Sequence, residues 1–167
     1  IDTAKKIGIS QTYSLVMNKL NSPSALGYSC AGEVIAIGDK VKNFQIGDYV
    51  ACGGGAHSEV ISVYENLCVK VPKEINLRDA SLTTLGAICL QGIRQSKIQF
   101  GEYCCVIGLG LMGQITIQIL NAIGVKSIGI DIDDDKVKLA KSNGAELALN
   151  RKKDGVDKTI FNFTRGQ

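Results

Sequence analysis

The sequence predicts an α/β protein in which a helical segment and a β-rich region of short strands precede a parallel βαβαβ unit. Three observations predict it. The apolar run YCCVI (103–107) feeds directly into a glycine-spaced loop, GLGLMG (108–113), and then into an amphipathic stretch. Two more apolar runs, SIGID (127–131) and ELALN (146–150), alternate with helical patterns, as strands covered on both faces do. Ahead of them, from Gly27 to Pro72, short β-rich runs are separated by turn signals.

Each element has its own signal. Residues 1 to about 20 read as a packing helix, with Tyr13, Val16, Met17 and Leu20 at helical spacing and Asn21-Ser22-Pro23 as its stop. GEVIAIGDKV, FQIGDYVACGGG, HSEVISVY and LCVKVP read as strands, with Gly38-Asp39 and Gly47-Asp48 as turns, which suggests a small barrel or sandwich. After Pro72 the period changes to that of a helix. Asn76, with Asp79 three residues on, is placed to open it, and Leu82, Leu85, Ile88, Cys89 and Ile93 form its apolar stripe. Gly86 and Gly92 weaken that helix and predict the close approach of a backbone or ligand. Then come the strand Tyr103 to Ile107, a helix with Met112, Ile115, Ile119 and Ala122 on one face, and the strand SIGID. The helix DKVKLAKSNG, ended by Gly144 in a left-handed cap, and the strand ELALN follow. The domain organisation expected is 1–22 helical, 23–74 β-rich, and 75–167 nucleotide-binding.

The three glycines have separate physical tasks. Gly108 permits the tight turn out of the strand, Gly110 removes a Cβ where a pyrophosphate must approach, and Gly113 lets the new helix pack on the strand. The N–H groups at the helix start, with the positive end of its dipole, favour phosphate. This makes Gly108, Leu109, Gly110, Leu111, Met112 and Gly113 the candidate cofactor-binding loop. Such a loop alone is weak evidence, but an acid, Asp131, ends the next strand eighteen residues past Gly113. A carboxylate there accepts hydrogen bonds from the adenosine ribose and repels the extra phosphate of NADP, so NAD is the expected cofactor. Asp133, Asp134 and Asp135 are better suited to starting the following helix. The residues alone leave open a glycine turn with a capping aspartate and no ligand.

Composition narrows the function classes. The chain has 167 residues, a net charge of +3 with interleaved signs, and no tryptophan. It is long enough for one domain or parts of two. No basic patch points to nucleic acid, and no apolar run reaches the roughly 18 residues of a membrane span. Six irregularly spaced cysteines, Cys30, Cys52, Cys68, Cys89, Cys104 and Cys105, lack a disulfide framework or a C-x-x-C pair. They predict reduced, mostly buried thiols in a cytoplasmic protein. With no initiator Met, and an end at Arg165-Gly166-Gln167 without a closing element, the chain reads as an internal piece of a longer protein.

LGYSCAGEVIAIGDKVKNFQIGDYVA, GAHSEVISV, GEYCCVIGLGLMGQ and IGIDIDDDKVKLAKSNGAE together resemble the medium-chain dehydrogenase/reductase superfamily, the zinc alcohol dehydrogenase and quinone reductase group, from Gly27 to Asn150. LGYSCAGEV, ENLCVKVP and LGAICLQGIR are most similar to the bi-domain oxidoreductases of bacterial polysaccharide biosynthesis. The resemblance implies a partial GroES-like β-barrel followed by the first half of a Rossmann nucleotide-binding domain, with further strands before Ile1 and after Gln167. It also implies a small-molecule substrate and a homodimer formed by edge-to-edge extension of the nucleotide sheets, through a strand expected beyond this chain.

The departures from the family pattern matter. Zinc-dependent members carry a His-Glu pair in the segment matching GYSCAG, where this chain has Tyr28 and Ser29, and a metal-binding Cys where spacing puts Thr83. The four-cysteine structural zinc lobe is absent. Catalytic zinc needs three protein ligands, so no metal site is expected; a meeting of Cys30, Cys52 and His57 is the alternative. Tyr28 is the candidate catalytic residue: facing the nicotinamide, its hydroxyl would orient or protonate a substrate oxygen. A structural tyrosine is the competing reading. His57 reads as a solvated or capping residue, with a proton relay as its functional alternative. The function expected is a zinc-independent, NAD-linked oxidoreductase acting on an alcohol or ketone, with a sugar or sugar-nucleotide as substrate. A quinone or enoyl reductase and a non-catalytic NAD-binding module are the rivals.

Overall fold

The apolar run 103–107 forms a strand that pairs with 126–130 and packs on the helix after it, while Cys105 and Ile107 stay exposed; the glycines that follow let the chain reverse into that helix. The computed structural model describes residues 8–21, 26–55, 58–99, 101–153 and 155–166. Its nucleotide-type unit is β4 (Tyr103–Ile107), α4 (Leu111–Ala122), β5 (Lys126–Asp131), α5 (Asp134–Ser142), β6 (Leu147–Asn150) and α6 (Val156–Thr164). The strands are parallel in the order β4-β5-β6, with Ile107 beside Ile130 and Asp131 beside Asn150. The parallel βαβαβ expectation is therefore met.

The core of this unit is two clusters, one on each face of the sheet. Leu109, Ile117, Ala140 and Ala145 pack together, with Val106, Val137 and Ala148 against them. On the other face Ile130, Leu149 and Val156 gather, with Leu147 and Ile160 alongside. Here α4 departs from the expected orientation. It buries Gly113, Gln114, Ile117 and Leu120, not the face of Met112, Ile115, Ile119 and Ala122. The helix is apolar on nearly every side, so periodicity does not fix its rotation; the glycine contact does. The helix α6 fills a stretch where no closing element is expected, with the Phe163 ring meeting Tyr103 edge-on at 5.6 Å between centroids.

The β-rich region is an antiparallel sheet of β1 (Ser29–Glu33), β2 (Tyr49–Gly53) and β3 (Cys68–Lys70), in that order. GEVIAIGDKV contributes only its first two residues to a strand, and residues 58–64 of HSEVISVY form no strand. Both stretches are rich in β-branched residues, but exposed positions such as Ile35, Val60 and Tyr64 give alternation nothing to bury. The predicted first helix is α1 (Ile9–Asn21); residues 1–7 lie outside the described residues. Its Tyr13, Leu15, Val16 and Met17 stay exposed, so the expected packing face is uncovered.

Between the two sheets, Asn76 caps α2 (Leu77–Ala80), its side chain accepting from the Arg78 N–H at 2.8 Å. A break at Ser81-Leu82 separates it from α3 (Thr83–Ser96), where one helix is expected. Cys89 and Ile93 are buried, while Leu82 and Ile88 remain exposed. Gly86 and Gly92 face open space, so no close approach explains them. The cysteines are free but not mostly buried: only Cys52 and Cys89 are, and Cys105 is exposed. Among the described residues no helix is long and apolar enough to cross a membrane.

Candidate functional site

The glycine loop sits at the carboxyl end of β4, beside the end of β5. Gly108 takes φ +89°, which an L side chain rarely adopts, and its N–H donates to the Ile130 carbonyl at 2.8 Å. Leu109 then turns inward and is fully buried. Its N–H donates to Asp131 Oδ2 at 2.7 Å, and its carbonyl accepts from Gln114 Nε2 at 3.0 Å. Gly110 is the N-cap of α4, extended and without a side-chain cap, and a Cβ there would meet nothing within 4 Å. Leu111 and Met112 follow, exposed, on the first turn. At Gly113 a Cβ would stand 2.0 Å from the Gly108 carbonyl oxygen and 3.7 Å from Val106 Cγ1. No side chain fits there; the absence of one lets α4 begin directly against the loop and β4.

Asp131 ends β5 with its carboxylate turned onto this loop. Besides Leu109, it accepts from the Ile132 N–H at 2.7 Å and the Asp133 N–H at 3.0 Å, both to Oδ1. The Leu109 N–H is the main cause that holds its carboxyl below the ordinary carboxylate range, aided by the Asp133 and Ile132 N–H groups and the nearby Lys136 charge. The acid is therefore ionised at neutral pH. Each carboxylate oxygen has two lone pairs, and only one bond occupies Oδ2, so Asp131 retains acceptor capacity at the mouth of the loop. The helix-start role predicted for the neighbouring acids is also seen: Asp133 caps α5 by accepting from the Asp135 N–H at 3.0 Å, and Asp134 and Asp135 lie in its first turn.

Gln114 is the residue that sequence reasoning missed. Its side chain is buried, and all its polar capacity near the loop is used. Nε2 donates to the Leu109 carbonyl and, at 2.9 Å, to the Lys136 carbonyl; Oε1 accepts from Asn143 Nδ2 at 2.9 Å. It ties the loop to both ends of α5. The available signal is an amide row, Gln114, Gln118 and Asn121 at i, i+4 and i+7, that begins immediately after the third glycine.

Tyr28 precedes β1; its carbonyl accepts from the Gly54 N–H at 2.8 Å and its side chain is exposed. Ser29 Oγ donates to the Ser81 carbonyl, and Thr83 Oγ1 to the Ala80 carbonyl at 2.6 Å, so both hydroxyls serve the turn between α2 and α3. His57 lies outside the described residues. Cys30 and Cys52 are cross-strand partners, and Cys68 stands opposite Cys52 on β3. Among the described residues no three His, Cys, Asp or Glu side chains are arranged to hold a metal. The hydroxyls of Tyr28, Ser29 and Thr83 do not fit zinc's preference for Cys, His and carboxylate donors. A dinucleotide fits the other site better: an open cradle at Gly110, a helix start that offers N–H groups without intrahelical partners, and an ionised acid alongside.

Compared with known proteins, the chain matches two family models. One, described as alcohol dehydrogenase GroES-like domain, matches residues 4–73; the other, described as zinc-binding dehydrogenase, matches residues 112–167. It is 28% identical to (R,R)-butanediol dehydrogenase of Bacillus subtilis (strain 168) over 87% of this chain and 50% of that protein. It is 31% identical to D-guloside 3-dehydrogenase of Shigella flexneri over 85% of this chain and 41% of that protein. The chain thus spans about half the length, or less, of these curated relatives. Among solved structures, a quinone oxidoreductase of Pseudomonas syringae pv. Tomato DC3000 superposes with a TM-score of 0.73 and 31% identity, over 86% of this chain and 46% of that one. With a GroES-like segment, a parallel sheet opening on a glycine loop, and both family models in the expected order, the chain belongs to the zinc-type alcohol dehydrogenase-like medium-chain dehydrogenase/reductase superfamily.

Proposed function

We propose that this chain carries the cofactor half-site of an NAD-linked, zinc-independent oxidoreductase that interconverts an alcohol and a ketone on a sugar or sugar-nucleotide. The observation that carries this reading is the ionised Asp131 carboxylate turned onto the glycine loop. Gly108, Gly110 and Gly113 shape the loop, the first turn of α4 from Leu111 and Met112 faces the phosphates, and Asp131 accepts the ribose hydroxyls. Bound NAD supplies the hydride acceptor or donor at nicotinamide C4. Leu109 acts through its shape: its buried side chain and paired N–H fix the loop while the amides that follow it, at the start of α4, stay available. Tyr28, with its exposed ring, is the group assigned to orient the substrate oxygen and give or take its proton. The sugar substrate is supported by the 31% identity to D-guloside 3-dehydrogenase.

A second reading, a quinone reductase, is favoured by the similarity to the Pseudomonas syringae quinone oxidoreductase. The two separate at the cofactor and at the substrate. Calorimetric titration of the chain with NAD and NADP should show tighter binding of NAD. In Asp131→Ala, which removes a charged acceptor, NAD affinity should fall about 10-fold or more. Unchanged NAD affinity in that variant would sink the cofactor assignment. Tighter NADP binding, together with quinone reduction and no oxidation of glycosides, would favour the second reading.

A further inference from the structure

Three cysteines line up across the antiparallel sheet, Cys30 on β1, Cys52 on β2 and Cys68 on β3, as register partners of one another in turn. The two cross-strand pairs are not equivalent. Between β2 and β3, the Val71 N–H donates to the Tyr49 carbonyl at 2.8 Å, which makes Tyr49 and Val71 a hydrogen-bonded pair. Pairs alternate along an antiparallel ladder, so Val50 and Lys70 are non-hydrogen-bonded, Ala51 and Val69 hydrogen-bonded, and Cys52 and Cys68 non-hydrogen-bonded. Between β1 and β2, the Gly54 N–H donates to the Tyr28 carbonyl at 2.8 Å; the same alternation makes Cys30 and Cys52 a hydrogen-bonded pair. Side chains stand closest in non-hydrogen-bonded pairs, about 4.5 Å between Cα atoms, within the range that a disulfide spans. The sulfurs obey this distinction. Cys52 Sγ lies 3.4 Å from Cys68 Sγ, whereas Cys30 Sγ is directed to the Cys52 carbonyl at 3.7 Å.

We propose that Cys52 and Cys68 are a reversible oxidation site, closing to a cross-strand disulfide on reaction with a low-molecular-weight disulfide such as glutathione disulfide, and that Cys30 is excluded from it. The order of events follows from exposure. Cys52 is buried, and desolvation, with the neighbouring thiols, pushes its pKa up to about 12, so it does not start the reaction. Cys68 is only half-buried and lines an open hollow with Asn43, Glu65 and Lys70. Its thiolate attacks one sulfur of glutathione disulfide; that S–S bond breaks and one glutathione thiolate leaves. Cys52 then gives up its proton and attacks Cys68 Sγ in the mixed disulfide, expelling the second glutathione. Two protein thiols lose two electrons and two protons; the small disulfide gains both and becomes two thiols. The new bond would staple β3 to the strand whose Cys52 carbonyl accepts from Thr84 Oγ1 at 3.3 Å, at the start of α3.

The test is equilibration of the folded chain in glutathione buffers of increasing oxidation, followed by acid quenching, thiol counting and mass mapping of proteolytic peptides. Wild type should lose two of its six thiols and yield one linked peptide pair, containing Cys52 and Cys68. Cys30→Ser should behave like wild type; Cys52→Ser and Cys68→Ser should form no internal link. Retention of all six thiols in oxidising buffer, or a linked pair that joins Cys30 to Cys52, would overturn the proposal. Mapping of the wild-type chain decides the matter even where a serine variant fails to fold, and no outcome depends on cofactor binding.

Discussion

Leu109 is held from three directions: its side chain by the core, its N–H by Asp131 and its carbonyl by Gln114. In the proposed role, where the loop meets a charged ligand through its backbone, such restraint leaves little ordering to be done on binding. Replacing Gln114 by Leu keeps the volume and removes the amide. The buried Leu109 carbonyl then loses the Gln114 amide as donor, and Asn143 Nδ2 loses its acceptor. A buried group left unpaired costs about 1–3 kcal/mol. Gln114→Leu should therefore lower the unfolding free energy by that amount, seen as a lower urea midpoint, and weaken NAD binding several-fold in an NADH fluorescence titration. A midpoint unchanged from wild type would show that the amide does not restrain the loop.

Among the elements, α4 shows most clearly what a sequence does and does not reveal. Its start is legible, because Gly108 and Gly113 each answer a separate steric demand and Asp131 follows on the next strand. Its rotation is not, because Met112, Ile115, Ile117, Ile119 and Leu120 offer apolar groups in every direction. What fixes the rotation is the 2.0 Å approach that a Gly113 Cβ would make to the Gly108 oxygen, a contact no periodicity encodes. Gly113→Ala should force helix and loop apart, at about 1–3 kcal/mol as in other overpacked sites. Calorimetry should find both a lower melting temperature and weaker NAD binding; a variant as stable as wild type would mean that the loop absorbs the methyl group freely. Other elements were hidden for different reasons. The strand expected at HSEVISVY has suitable residues but no partner, since pairing is decided by the rest of the sheet. The helix α6 carries Val156, Ile160 and Phe163 at helical spacing, a pattern that the charged residues before it obscure.

For the whole molecule, the carboxylates and the thiols place opposite demands on pH. On the acid side, Asp48, Asp131 and Asp134 each have a carboxyl held below its ordinary 3.8. The causes are, in order of residue, the Lys70 hydrogen bond, the Leu109 N–H and the Lys153 hydrogen bond. A group with a lowered folded pKa stabilises above its unfolded value, and that stabilisation is lost as pH falls through the folded value. Stability should thus hold at neutral pH and decline below about pH 4. On the alkaline side the sign reverses. Cys52 is pushed up from 9.0 to about 12 by burial, so the unfolded chain ionises first and folding weakens as pH rises between those values. Cys30 and Cys104 are raised in the same direction, chiefly by burial. Urea midpoints measured across pH should form a plateau with two falling limbs. Cys52→Ala, which has nothing to ionise, should flatten part of the alkaline limb and leave the acid limb as it was. An alkaline slope identical to that of wild type would place the lost stability elsewhere, in groups other than the thiol at the centre of the first sheet.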